Sequence, residues 1–402
     1  MSNKVFIVGA KRSPIGSFLG SLKDVHPADL GAQVLKKLLA ETRVPVSNID
    51  EVIIGHVLSA GVGQGLARQV SIKAGVPVEV PAYSLNMVCG SGMKSIMNAY
   101  ASIKANMADL IVAGGIESMS QAPYMTTPKV RDGVRMGDLT MVDHMIKDSL
   151  TDVFNNYHMG VTAENISKKH GITREEQDAF ALKSQEKAIN AVDKGLFDAE
   201  IIPIEIKTKK ETIIFSRDEY PNRTTNAEKM AKLRPVFVQD GTVTAGSSSG
   251  INDGASFVIV ASEEAVKKYN LPVMAEIISV GQGGVDPSVM GLGPVPAIRG
   301  ALKNAHMTLD QMELVELNEA FAAQSLGVFK ELVEEHHIDR EAFLSKTNIN
   351  GGAIALGHPL GNSGNRIVVT LLYGLIAQNR SIGLASLCIG GGMGTAIIVK
   401  RV

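Results

Sequence analysis

Hydrophobic positions along the first 120 residues alternate between two periods. "KVFIVGA" is a short apolar run that predicts a strand, closed at Gly9. "HPADLGAQVLKKLLAET" places Leu30, Val34, Leu35, Leu38 and Leu39 on one helical stripe, with Pro27 suited to its first turn. "DEVIIGHV" predicts a strand, "GQGLARQVSIKAG" a short helix and "AYSLNMV" another strand. "SGMKSIMNAYASIKAN" gathers Ile96, Met97, Tyr100 and Ile103 on one helical face. "ADLIVAGGIES" is apolar on both faces, as a strand covered on both sides must be. This βαβα alternation predicts an α/β fold, a sheet with helices on both faces.

The texture changes between residues 121 and 249. Methionines, charges and polar loops become frequent, apart from the helix in "TREEQDAFALKSQEKAINAVDKG". Thr173, Glu175 and Glu176 make its N-terminal signal, and Gly195 its stop. After Pro272 the first texture returns. "VMAEIISVGQGGVDP" parallels "KVFIVGAKRSPIG", and "GHPLGNSGNRIVVTLLYGLI" stands where "VCGSGMKSIMNAYASI" stood. "IGLASLCIGGGMGTAIIV" parallels "ADLIVAGGIESMS". These offsets of about 260–275 residues are too long for a solenoid and indicate an internal duplication. The predicted organisation is an N-terminal half (1–120 and 250–272), an inserted loop domain (121–249) and a C-terminal half (273–402). Ligand chemistry is expected where the strand ends of the two halves meet.

Bulk properties narrow the function classes. The chain has 402 residues and a formal net charge of −1, so it has no global basic field to hold nucleic acid. Its apolar runs are too short for a membrane span or a signal peptide. Two cysteines about 300 residues apart form neither a metal-type spacing nor a disulfide framework. A reducing, cytoplasmic setting is therefore expected. The glycine stretches contain no G-x-G-x-x-G between a strand and a helix with an acidic residue at the right distance, which disfavours a nicotinamide enzyme.

Cys89, in "SLNMVCGSGMKSI", precedes a predicted helix. It is either a packed turn cysteine or a nucleophile whose thiolate the helix N-terminus stabilises. His358 lies among glycines in "NINGGAIALGHPLGNSGNR", as a turn histidine or a proton acceptor. Cys388 precedes Gly390, Gly391 and Gly392, which form either a hairpin or a set of free N–H groups for an oxyanion. Asn318, in "ELNEAFA", suits a helix cap, or orients a water or the histidine.

"NMVCGSGMKS", "NEAFA", "GGAIALGHPLGNSG" and "CIGGGMG" resemble the signature motifs of the thiolase family, in the family's order. "YHMG" and "VMGLGPVPA" resemble its short-chain, acetoacetyl-CoA members. The resemblance spans the chain. It implies the thiolase-like fold, two duplicated βαβαβαββ halves in a five-layered α-β-α-β-α core. It also implies reversible condensation of two acetyl-CoA into acetoacetyl-CoA and CoA through an acetyl-cysteine. A degradative thiolase of broader chain length and a dead acyl-CoA-binding relative are the alternatives.

By the same resemblance Cys89 is the nucleophile, His358 takes its proton and Cys388 deprotonates the second acetyl-CoA. The N–H groups of Cys89 and Gly390 form one oxyanion hole; His358 and a water on Asn318 form the other. Leu150, His158, Phe237, Ala245, Ser249, Met290, Ala320 and Phe321 stand where the family holds CoA. On the adenine side Asn222 replaces a usual arginine and Lys229 a usual serine, which leaves Arg223 as the available cation. The resemblance implies no metal and no redox cofactor, with CoA thioesters as substrates. It also implies a homotetramer, or otherwise a homodimer, tied by the segment before His158.

Overall fold

The computed structural model describes residues 4–402. Nine strands form its main sheet path: β1 (Val5–Arg12), β2 (Glu51–Gly55), β3 (Ala82–Leu85), β4 (Leu110–Ser118), β5 (Asn252–Ser262), β6 (Ala275–Gly284), β7 (Leu314–Leu317), β8 (Ile382–Ile389) and β9 (Met393–Arg401). Their order is β7-β8-β9-β6-β1-β5-β4-β2-β3. Read outward from the centre, the two halves repeat each other. The path β1-β5-β4-β2-β3 is matched by β6-β9-β8-β7, and the counterpart of β3 is reduced to a parallel bridge between Val315 and Thr347. The halves meet where β1 and β6 pair antiparallel at Phe6–Glu276 and Ile7–Ala275.

Eight helices matter here: α1 (Pro27–Thr42), α2 (Leu66–Ala74), α3 (Ser91–Lys104), α4 (Met159–His170), α5 (Arg174–Asp193), α6 (Pro294–Ala305), α7 (Ala322–His336) and α8 (Leu360–Ala377). One apolar core packs α1 and α2 on the N-terminal sheet, and another packs α6 and α7 on the C-terminal sheet. Between the sheets lie α3 and α8, in a core with Met93, Ile96, Ile367 and Leu371. The layers are therefore α-β-α-β-α, the fold expected from the sequence. Fully buried strands such as β4 and β5 follow from this, because helices cover both of their faces.

The central helices touch through glycines. A Cβ at Gly92 would lie 2.7 Å from the Gly361 carbonyl oxygen, and one at Gly364 would lie 2.6 Å from the Met93 nitrogen. Side chains there would push apart the two helices that carry the site.

Two local expectations change. Gly9 does not end β1, which runs on to Arg12. The register against β5 shifts between Ile7 and Gly9, and a Cβ at Gly9 would strike the Thr42 methyl at 2.4 Å. The glycine marks a bulge and a close helix contact, not a stop. Asn318 is not a helix cap: α7 starts at Ala322 with Phe321 at its N-cap position. The N-terminal signal of α5 is a capping box between Thr173 and Glu176, and Gly195 lies in the left-handed region after the helix.

Candidate active site

β3 ends at Leu85 and α3 starts at Ser91, so Cys89 sits in a turn of very few residues. The turn closes because Val88 adopts φ +46°. A β-branched residue is strained in that region, at a cost of about 1–3 kcal/mol. Neighbouring bonds hold it there. The Ser91 hydroxyl accepts the Met87 N–H (2.8 Å) and donates to the Val88 carbonyl (2.6 Å), and the Asn86 side chain accepts the Val88 N–H (2.9 Å). Gly90 admits Ile389, whose Cδ1 would lie 2.3 Å from a Cβ there.

Half-buried Cys89 has its thiol pushed up to about 11. Burial is the main cause. The N–H groups of Gly390 and of Cys89 itself act against it, and the charge of Glu117 adds to it. The helix N-terminus therefore does not leave a stored thiolate, because desolvation outweighs it.

His358 follows Gly357, whose φ of +102° and contact with the Asn252 amide exclude a side chain. The Asn252 side-chain oxygen accepts the His358 N–H at 3.0 Å. The ring Nδ1 lies 2.7 Å from the Ser363 hydroxyl, which donates to the Pro359 carbonyl at 2.9 Å. With its own proton spent on Pro359, Ser363 accepts from His358. This network assigns the proton to Nδ1 and leaves Nε2 as the accepting nitrogen, with the Asn318 amide nitrogen 3.5 Å away. Burial first and the Arg366 charge second push this imidazole down to about 3. The resting pair is thus a neutral thiol and a neutral imidazole. Ser363 was not singled out in the sequence, where its signal was a hydroxyl one helical turn past the histidine.

Cys388 is buried at the end of β8, opposite Gly394 of β9. Burial pushes its thiol far up, and neighbouring Cys89 pushes it further. Gly391 and Gly392 make the hairpin turn at φ +86° and +85°, so the glycines build a hairpin and also leave the Gly390 N–H for the Cys89 sulfur. Asn318 places its amide nitrogen 3.5 Å from both ring nitrogens of His358; its Oδ1 is buried without a protein partner.

Most expected CoA residues gather beside the two cysteines. Met290, Ala320 and Phe321 share an apolar cluster with Cys388, with Phe237 packed against it. His158 caps α4 and stacks on Phe237 at 4.7 Å; Phe237 meets Phe321 edge-on at 6.0 Å. Leu150 packs in the cluster that also touches Cys89. Ser249 donates its N–H to the Ala320 carbonyl at 2.9 Å. Arg223 stands apart, exposed and bidentate on Asp193, at 2.6 and 2.9 Å. It shares with Ala245 the wall of a cavity that also includes Asn222 and Tyr220. A further cavity, lined by Lys187, Glu319 and Phe329, includes neither cysteine.

Residues 5–264 match the thiolase N-terminal domain and residues 271–401 the thiolase C-terminal domain. The chain is 52% identical to an acetyl-CoA acetyltransferase of Syntrophomonas wolfei over 100% of both chains. It is 51% identical to one of Pseudomonas aeruginosa over 99% of each. Among solved structures, the Bacillus anthracis acetyl-CoA acetyltransferase matches with a TM-score of 0.95 and 41% identity, covering 100% of this chain and 99% of that one. Human mitochondrial 3-ketoacyl-CoA thiolase in complex with CoA matches at 0.93 and 45%, covering 100% and 98%. The duplicated five-layer fold, the four motifs and these full-length matches agree: the chain belongs to the thiolase family.

Proposed function

We propose that this chain is an acetyl-CoA C-acetyltransferase, joining two acetyl-CoA into acetoacetyl-CoA and CoA. The observation that carries the reading is the Cys89 sulfur facing the N–H groups of Cys89 and Gly390, with Cys388 beside it. Those N–H groups suit the oxyanion that forms as the sulfur attacks a thioester carbonyl. Full-length relatives of this name, about half identical to the chain, support it.

In the first half-reaction the Cys89 proton passes to His358 Nε2 as the S–C bond forms. The thioester C–S bond then breaks, and the CoA sulfur leaves with the Cys388 proton, so that Cys388 becomes a thiolate while His358 keeps the proton from Cys89. At rest no thiolate is stored on Cys89, so it resists idle oxidation and alkylation. In the second half-reaction Cys388, as a thiolate, removes a methyl proton from the next acetyl-CoA. Burial makes that sulfur strongly basic. The enolate oxygen is held by His358 and by a water on the free Asn318 Oδ1. The enolate carbon attacks the acetyl-cysteine, the acyl C–S bond breaks, and Cys89 leaves as a thiolate that takes its proton back from His358, while Cys388 keeps the methyl proton as a thiol. CoA is substrate and carrier, and the chemistry draws on thioester acidity without a metal or redox cofactor.

The test is mass spectrometry after mixing with acetyl-CoA. One acetyl adduct on Cys89, discharged by free CoA, is expected; its absence would overturn the reading. The 45% identity to a 3-ketoacyl-CoA thiolase favours a second reading, with broader chain length. Faster cleavage of a long-chain 3-ketoacyl-CoA than of acetoacetyl-CoA would select it.

Among the described residues no helix is long and apolar enough to cross a membrane; a cytoplasmic homotetramer belongs to the same proposal. The segment before His158 exposes Met136, Met141, Val153 and Phe154, an apolar surface suited to covering by a second copy. Light scattering at the mass of four chains is the expected result, and a monomer would refute it.

A further inference from the structure

Glu117 ends β4, a strand buried along its whole length. Its carboxylate accepts three backbone N–H groups from two separate loops. Val57 (3.1 Å) and Leu58 (3.2 Å) follow β2, while Gly361 (2.9 Å) opens α8. The His56 ring lies 3.3 Å away on the same side.

Each loop leads to one catalytic group. His56 donates its N–H to the Leu85 carbonyl, and Asn86 reaches the Val57 carbonyl; Leu85 and Asn86 deliver Cys89. Val57 and Leu58 line the apolar cluster against Cys89. Gly361 follows His358 by three residues, in the turn whose Pro359 carbonyl holds Ser363 and through it the ring. A Cβ at Gly361 would meet the Ile116 carbonyl oxygen at 2.7 Å and a Glu117 carboxylate oxygen at 2.9 Å, so the junction is closed to side chains.

We infer that Glu117 is a positioning residue that sets Cys89 against His358, by holding the cysteine loop and the histidine turn on one carboxylate. Bonds of N–H groups to an ionised carboxylate are roughly twice as strong as neutral ones, and one rigid acceptor fixes both loops together. The inference rests on the acetyltransferase reading, in which these two groups exchange a proton. Proton transfer falls steeply with misplacement: about 1 Å costs about 100-fold in rate.

The test is Glu117→Gln, which keeps the shape but turns one acceptor into an N–H donor facing N–H groups. Expected is a 10- to 100-fold fall in kcat with the KM for acetyl-CoA within threefold, because the CoA-side cluster of Met290, Phe321 and Phe237 contains none of the residues that Glu117 holds. Hydrogen exchange is expected to quicken at Val57, Leu58 and Gly361 together, with β5 still protected. Unchanged kcat, or quickened exchange at only one of the two loops, would overturn the inference. So would an activity loss that merely tracks the unfolded fraction. If Glu117→Gln does not fold, the same readouts on Glu117→Asp, whose shorter arm cannot span both loops, decide it. If wild-type enzyme never acetylates Cys89, the function reading fails by itself, and the exchange pattern alone judges the clamp.

Discussion

The turn before α3 and the turn before α8 occupy equivalent places in the two halves, yet they solve opposite problems. The first presents Cys89 half-exposed, after Val88 strained into the left-handed region. The second buries His358 and spends a glycine, Gly357, on its sharp corner. A nucleophile has to reach an incoming thioester. A base works best dry, with one nitrogen fixed by a hydrogen bond and the other free. Duplication supplied the same turn twice, and burial assigned the roles. The cost shows in both groups, since burial pushes the thiol up and the imidazole down.

The sharpest way to break this comparison is to remove each group in turn. Cys89→Ala loses the covalent route, with turnover falling by about 10⁴-fold or more and no acetyl adduct by mass spectrometry. His358→Asn is expected to do less, about 10²- to 10⁴-fold in kcat. An acetyl adduct on Cys89 should still form slowly in single-turnover experiments. Equal losses, with no adduct in either variant, would mean that the turns do not divide the work this way.

The smallest effect sharpens the comparison through pH. A thiol held at about 11 ionises only as pH approaches that value, so alkylation of Cys89 by iodoacetamide should rise about tenfold per pH unit from 7 to 9. An ordinary thiol would already be flattening near pH 8.5 to 9. A plateau near 7 would contradict a dry, neutral thiol.

Much of the fold was legible because it is local. Leu30, Val34 and Leu38 mark α1 by spacing alone, and Thr173 with Glu176 marks the start of α5. The duplication was legible too, since each half keeps its glycines and apolar runs in order. Gly9 misled because a glycine in a strand reads as a stop, whereas the helix packed against it demanded the missing side chain. Of the two roles open to Asn318, the cap fails for a similar reason: a cap is a local role, and its neighbour His358 is 40 residues away.

By itself the sequence determined the alternating elements, the two matching halves and the motifs that identify the family. These depend on periodicity and on backbone freedom at particular residues, both of which are written locally. Only the tertiary structure decided which groups meet and in what protonation state. Glu117 and Gly361 are separated by 244 residues, and Ser256 and Asn362, another bond from a strand to the first turn of α8, by 106. A pKa depends on how much water the fold removes and which charges it leaves behind, and no single stretch of chain carries that information.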